Sequence, residues 1–138
     1  MEKARLILSV FLVTPLSIFV VGEALAAGSF YNYNVTVPKF GGSTSTNNQT
    51  KVSSTDKAVV CSQAVGGDYT LRARIELLNN NVAAGYQSIS DNQRREYTLN
   101  PSTADQQYHA RIATYITTPV DVQAIGKWSP DNPGSCGF

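Results

Sequence analysis

Apolar and polar positions alternate with period two along much of this chain, the pattern of strands with one buried face. Tyr31, Tyr33, Val35 and Val37 alternate with Asn32, Asn34 and Thr36, and Pro38 ends the run. Tyr69, Leu71, Ala73, Ile75 and Leu77 fall on one side, with Thr70, Arg72, Arg74 and Glu76 on the other. A helix would scatter those apolar residues around its circumference, so the period selects a strand. Tyr108, Ala110, Ile112, Thr114 and Ile116 repeat the pattern, with His109, Arg111 and Ala113 opposite. After Pro119, Val120, Val122 and Ala124 alternate with Asp121, Gln123 and Ile125. Shorter strands are expected over Lys57–Gln63, Gly85–Ser90 and Gln93–Leu99. Gly66-Gly67-Asp68, Asn79-Asn80-Asn81 and Asn100-Pro101-Ser102 supply turns between them. The polar, small-residue stretch near 40–56 has no period and reads as a flexible loop. About seven strands at spacings of roughly 8–15 residues, with no helix, predict an all-β antiparallel β-sandwich, with a small β-barrel as the alternative. Ala-Arg-Ile occurs at 73–75 and again at 110–112, too short a match to define a repeat.

The first residues follow a different rule. Lys3 and Arg5 precede an apolar stretch from Leu6 to Val21 that contains Pro15, and Ala24 and Ala26 satisfy the small-x-small rule of signal peptidase. Residues 1–26 are therefore expected to be a cleaved signal peptide, with cleavage after Ala27 as runner-up. A membrane anchor is the weaker reading, because the stretch is short for a hydrocarbon core of about 30 Å. Residues 27–138 are then one secreted, extracellular β domain with no membrane span.

Composition narrows the partners. The 138 residues carry eleven basic and ten acidic side chains, a net charge of +1. So small a balance argues against nucleic acid or an anionic membrane as an electrostatically driven partner. One His and two Cys exclude a four-ligand Cys/His zinc site, and no Asp-x-Asp-x-Asp-Gly calcium loop occurs. No metal or other cofactor is expected. In an oxidising compartment the pair Cys61 and Cys136 reads as a disulfide that tethers the C-terminal tail. No Cys-x-x-Cys spacing supports a redox role.

Candidate chemistry is sparse. His109 falls on a polar strand face and is expected to be exposed, and no Gly-x-Ser-x-Gly elbow accompanies it. The acids Asp56, Asp68, Glu76, Asp91, Glu96, Asp105, Asp121 and Asp131 are scattered, mostly in turns. They suggest no glycosidase pair. The protein is expected not to be an enzyme. Arg72, Arg74, Arg94, Arg95 and Arg111 are the one basic concentration and form a cationic stripe if their strands are neighbours. Cross-strand pairing with Glu76 and Glu96 is the plainer reading of the same residues. Tyr115 and Trp128 are the exposed aromatic candidates for stacking on a sugar. Candidate ligand-binding residues are thus Arg72, Arg74, Arg111, Tyr115 and Trp128, facing a cell-wall polymer, a carbohydrate or an envelope protein. Asn34-Val-Thr36 and Asn48-Gln-Thr50 match the N-glycosylation pattern.

The stretch from Phe30 to Ser43, together with Cys61, Gly66-Gly67-Asp68-Tyr69-Thr70-Leu71-Arg72-Ala73-Arg74 and Gly134-Ser-Cys136, resembles a family of small secreted proteins of unknown function from Gram-positive bacteria. The family has no assigned catalytic residues, so the resemblance transfers no residue roles. Bacteriocins of the lactococcin type share size, export signal and β content, but their Trp/Gly-rich pattern is absent here. The sequence therefore points to a secreted, non-enzymatic binding or interaction protein at the cell envelope. The alternatives are a bacteriocin-like toxin and a self-assembling matrix or pilin-like subunit.

Overall fold

The computed structural model describes residues 28–138; the segment read as a signal peptide lies outside them. Nine strands follow one another. They are β1 (Tyr31–Val37), β2 (Ser43–Ser45), β3 (Gln49–Thr50), β4 (Ala58–Val65), β5 (Leu71–Leu77), β6 (Val82–Ile89), β7 (Gln93–Tyr97), β8 (Gln107–Ala113) and β9 (Val122–Ser129). They form two antiparallel sheets, β1-β9-β4-β7 and β2-β8-β5-β6, with β3 also pairing β8. The sheets do not close on each other, so the fold is a β-sandwich and not a barrel.

The alternating faces meet in the middle. Leu71, Ala73 and Ile75 of β5, with Tyr108, Ala110 and Ile112 of β8, pack against Tyr33, Val37, Val60, Tyr97, Ala124 and Trp128 of the other sheet. Tyr97 crosses the core and its hydroxyl donates to the Ala73 carbonyl at 2.7 Å. Its burial holds that phenol above the ordinary range, because the ionised form would be desolvated. Close pairing in the first sheet requires Gly126: a Cβ there would collide with the Cys61 carbonyl oxygen and the Tyr33 ring.

Strand β4 departs from simple alternation. Ala58, Val59, Val60 and Cys61 are all fully buried. The outer face of β4 is covered by the C-terminal tail, where Val59, Cys61 and Cys136 form a second apolar cluster with Phe30. The Cys61–Cys136 disulfide across 75 residues fixes that cover.

The segment near 40–56, read from composition as a loop, carries the short strands β2 and β3, which pair with β8. Thr46 both donates its amide to the Ala110 carbonyl (2.9 Å) and accepts the Ala110 amide on Oγ1 (3.0 Å). Further on, Lys51 is wholly buried. Its Nζ donates to the carbonyls of Asp56 (2.7 Å) and Pro130 (2.6 Å), and lies 3.4 Å from Asp131 Oδ1. Asp131 in turn accepts the amides of Val52 (2.9 Å) and Ser53 (3.0 Å). A buried cation thus ties the segment to the tail, a long-range pairing that local polarity does not report.

Other boundaries shift for local reasons. Tyr69 precedes β5 because Gly66–Asp68 makes a tight turn closed by the Tyr69 amide on the Gly66 carbonyl. The strand expected to reach Ile116 stops at Ala113, where a turn closes with Thr118 N–H on the Tyr115 carbonyl. The last strand runs through Trp128, because that stretch pairs on both sides, opposite Tyr31 and Val60.

Candidate functional site

The outer face of the β2-β8-β5-β6 sheet gathers a cluster of charged side chains around one carboxylate. Alternation along β5 turns Arg72, Arg74 and Glu76 outward, and along β8 it turns His109 and Arg111 the same way. The two Ala-Arg-Ile triplets are direct partners: Ala73 faces Ile112, Arg74 faces Arg111, and Ile75 faces Ala110. Two guanidinium groups directly opposite each other repel. Glu76, one step along the same face and opposite His109, resolves the conflict.

The Glu76 side chain is wholly buried. Its Oε2 accepts from Arg74 Nε at 2.6 Å, and Arg111 Nε reaches Oε1 at 2.8 Å and Oε2 at 2.9 Å. His109 Nε2 donates to Oε1 at 2.9 Å. Burial by itself would raise this carboxyl, but the donors Arg111, His109 and Arg74 outweigh it and hold Glu76 below the usual carboxylate range. The surrounding side chains complete the network. Arg111 reaches Ser43 Oγ (3.2 Å) and Asn80 Oδ1 (3.4 Å), and His109 Nδ1 lies 3.0 Å from Asn48 Oδ1. His109 is therefore buried, not exposed as its polar strand face suggested, and both ring nitrogens are engaged.

Arg72 is placed differently. Its cross-strand partners are Ala113 and Ser88, and the ion pairs formed among the described residues pass it by. Aromatic rings hold it instead. Its guanidinium carbon lies 4.4 Å from the Tyr86 ring centre and 5.5 Å from that of Tyr115. Arg74 approaches Tyr86 as well, at 4.6 Å. Arg72 Nε is shielded from water and has no hydrogen-bond partner. A cation held by stacking and outside the ion pairs of the sheet is chemically suited to meet an anionic oxygen through its terminal guanidinium nitrogens, the shielded Nε being out of reach.

Arg72, Arg74 and Arg111 therefore share one face, three of the five arginines of the expected stripe, and Tyr115 packs beside Arg72. Trp128 is not on that face. It is 1% exposed in the core between the sheets, which corrects its reading as an exposed stacking residue. Arg94 and Arg95 are also elsewhere, on β7 of the other sheet. Arg94 pairs with Glu96 (2.6 Å) and caps the tail at Asn132 and Gly134. Arg95 donates to the Ser88 carbonyl at 2.7 Å. Sequence reasoning missed Tyr86 as a member of the face. Register shifts between β5 and β6 near Ala73–Glu76 alter which β6 side chains point outward, and no local pattern announces them.

Among the described residues, no group of three His, Cys, Asp or Glu side chains could hold a metal ion. A shallow depression lined by Asn92, Arg94, Cys136 and Phe138 holds no paired acid and base. No helix among the described residues is long and apolar enough to cross a membrane.

No family model matches the chain, and no curated protein matches it. Among solved structures, that of PirA is similar at 11% identity and a TM-score of 0.45, over 75% of this chain and 98% of PirA. A likeness of that depth transfers no property to this chain.

Proposed function

We propose that this chain is a secreted, non-enzymatic binding protein of the cell envelope. It takes anionic groups of a wall polymer onto the outer face of the β2-β8-β5-β6 sheet. The observation that carries this reading is Arg72. Its charge has no carboxylate partner among the described residues, and Tyr86 and Tyr115 hold it in place. The other arginines of the face serve first to neutralise Glu76. Together the face presents Arg72, Arg74 and Arg111 against the single carboxylate of Glu76, an excess of positive charge on one surface. Tyr115, 38% exposed, offers a ring edge beside that charge. Secretion is supported by the apolar N-terminal stretch with its small-x-small site and by the Cys61–Cys136 disulfide, which suits an oxidising compartment. The resemblance to small secreted Gram-positive proteins agrees in address.

The test is retention on purified Gram-positive cell wall, before and after its phosphate polymers are extracted. Wild-type protein is retained by the intact wall and released by added salt, and Arg72→Gln is not retained although it stays folded, melting only several degrees lower. Equal retention of Arg72→Gln, or equal retention by extracted wall, overturns the reading.

A further inference from the structure

At the Arg72 end of the sheet, two tight turns project side by side. Residues 39–42 close with Gly42 N–H on the Lys39 carbonyl (3.2 Å), and residues 115–118 with Thr118 N–H on the Tyr115 carbonyl (2.9 Å). They are joined by Phe40 N–H to the Thr118 carbonyl (2.9 Å) and Gly41 N–H to the Tyr115 carbonyl (3.1 Å). Thr114 Oγ1 locks their bases, donating to the Pro38 carbonyl at 2.7 Å and accepting the Gly41 amide at 3.0 Å. Four backbone and two side-chain hydrogen bonds thus tie the tip together.

Its side chains are apolar and turned to solvent. Phe40 is 55% exposed and Ile116 73%, with Tyr115 and Val120 beside them in sequence also exposed. Phe40 holds a φ of 57°, a backbone conformation that bulky residues rarely adopt. The fold keeps a strained aromatic in water at this tip when the same turn would accept a small polar residue at lower cost. Cations flank it. Lys39 Nζ lies 5.5 Å from the Phe40 ring centre, and Arg72 stacks on Tyr115. Asp121, the acid in contact with this turn, is engaged by the Lys39 amide at 3.0 Å. Although the net charge of the whole chain is only +1, exposed apolar side chains beside two local cations, Lys39 and Arg72, against one carboxylate, Asp121, match the two layers of an anionic bilayer surface: acyl chains beneath, phosphate headgroups above.

We infer that the Phe40–Ile116 tip is a membrane-docking element that inserts its apolar side chains into a leaflet rich in anionic lipid, with Lys39 and Arg72 at headgroup level. This surface shares Arg72 and Tyr115 with the proposed polymer-binding face, and its occupant is a lipid leaflet, not a wall polymer. The test places an environment-sensitive fluorophore on Ile116→Cys in the full chain, and on Val82→Cys at the far end of the same sheet as a control. Val82 is itself 48% exposed, so both labelled positions tolerate the probe. With phosphatidylglycerol vesicles the label at 116 shifts to the blue, while phosphatidylcholine vesicles leave it unmoved. The label at 82 is unmoved in both. Adding Phe40→Ser weakens vesicle binding read at 116 by about tenfold, the effect of withdrawing one aromatic side chain from a hydrocarbon phase. The inference fails if 116 does not shift, if 82 shifts equally, or if phosphatidylcholine acts as well as phosphatidylglycerol. It also fails if the shift grows with protein concentration in the absence of vesicles, which assigns the tip to a contact between copies of the chain.

Discussion

Replacing Glu76 by Gln separates the arginines that hold the fold from the one proposed to hold a ligand. The side chain keeps its volume, but an acceptor-only carboxylate becomes an amide whose NH2 group must face donors. Arg74, Arg111 and His109 all converge there within 2.6–2.9 Å. A hydrogen bond involving a charged group contributes about 1.5–3 kcal/mol, and breaking one partner out of a buried ion pair costs about 3–5 kcal/mol. Arg74 and Arg111 side chains retain 28% and 21% of their surface, so water partly compensates both once the carboxylate is gone. The low end applies, and we expect a loss of about 3 kcal/mol. For a domain of this size that corresponds to a melting temperature lower by roughly 12–20 °C. Urea unfolding followed by fluorescence of Trp128, which is 1% exposed in the fold, reads the change directly. Acid provides the second arm. Glu76 titrates below its usual range in the fold, so its stabilising effect is complete above the unfolded carboxyl value of about 4.3 and fades as pH falls through the folded value. The gap between wild type and Glu76→Gln therefore closes as the solution is acidified. A loss under about 1 kcal/mol at neutral pH, or a gap that stays constant into acid, refutes the assignment of Glu76 as the hub.

Two further stability predictions follow from the tail. Lys51→Met keeps the stem but removes the ammonium that ties Asp56 and Pro130 carbonyls to Asp131, and we expect a cost of about 3 kcal/mol in urea unfolding. A cost near zero would mean that Asp131, held by Val52 and Ser53, needs no cation. Reducing Cys61–Cys136 reopens a loop of 75 residues, and the loop-closure estimate puts the loss at about 4 kcal/mol. An unchanged melting temperature under reductant contradicts the staple.

Much of the architecture was legible because one face of each long strand is buried. The alternations in 31–37, 69–77 and 108–116 located β1, β5 and β8 within a few residues, and they put Arg72, Arg74, Glu76, His109 and Arg111 on one side. The arginines looked equivalent in the sequence and are not. Register sets Arg74 against Arg111 and leaves Arg72 opposite Ala113, and register is a property of pairing that no single strand carries. Trp128 was misread because its stretch ends in Lys127-Trp128-Ser129-Pro130, which looks like the close of a strand at the surface. Pairing on both sides buries it instead. The short strands within 40–56 were not legible for the opposite reason: they form against partners far along the chain, β8 and Asp131. A lysine in a polar stretch gives no hint that it will be wholly buried.

The central claim is that Arg72 is a positioned, unspent cation rather than part of the fold's own electrostatics. Losing its stacking on Tyr86 and Tyr115 costs stability only modestly, on the order of 1 kcal/mol. Wall-retention isotherms of wild type and Arg72→Gln, taken at two salt concentrations beside their melting curves, measure this most directly. We expect at least a tenfold fall in affinity and a shallower salt dependence, with a melting temperature lower by only about 4–7 °C. Matching isotherms would contradict the assignment of Arg72.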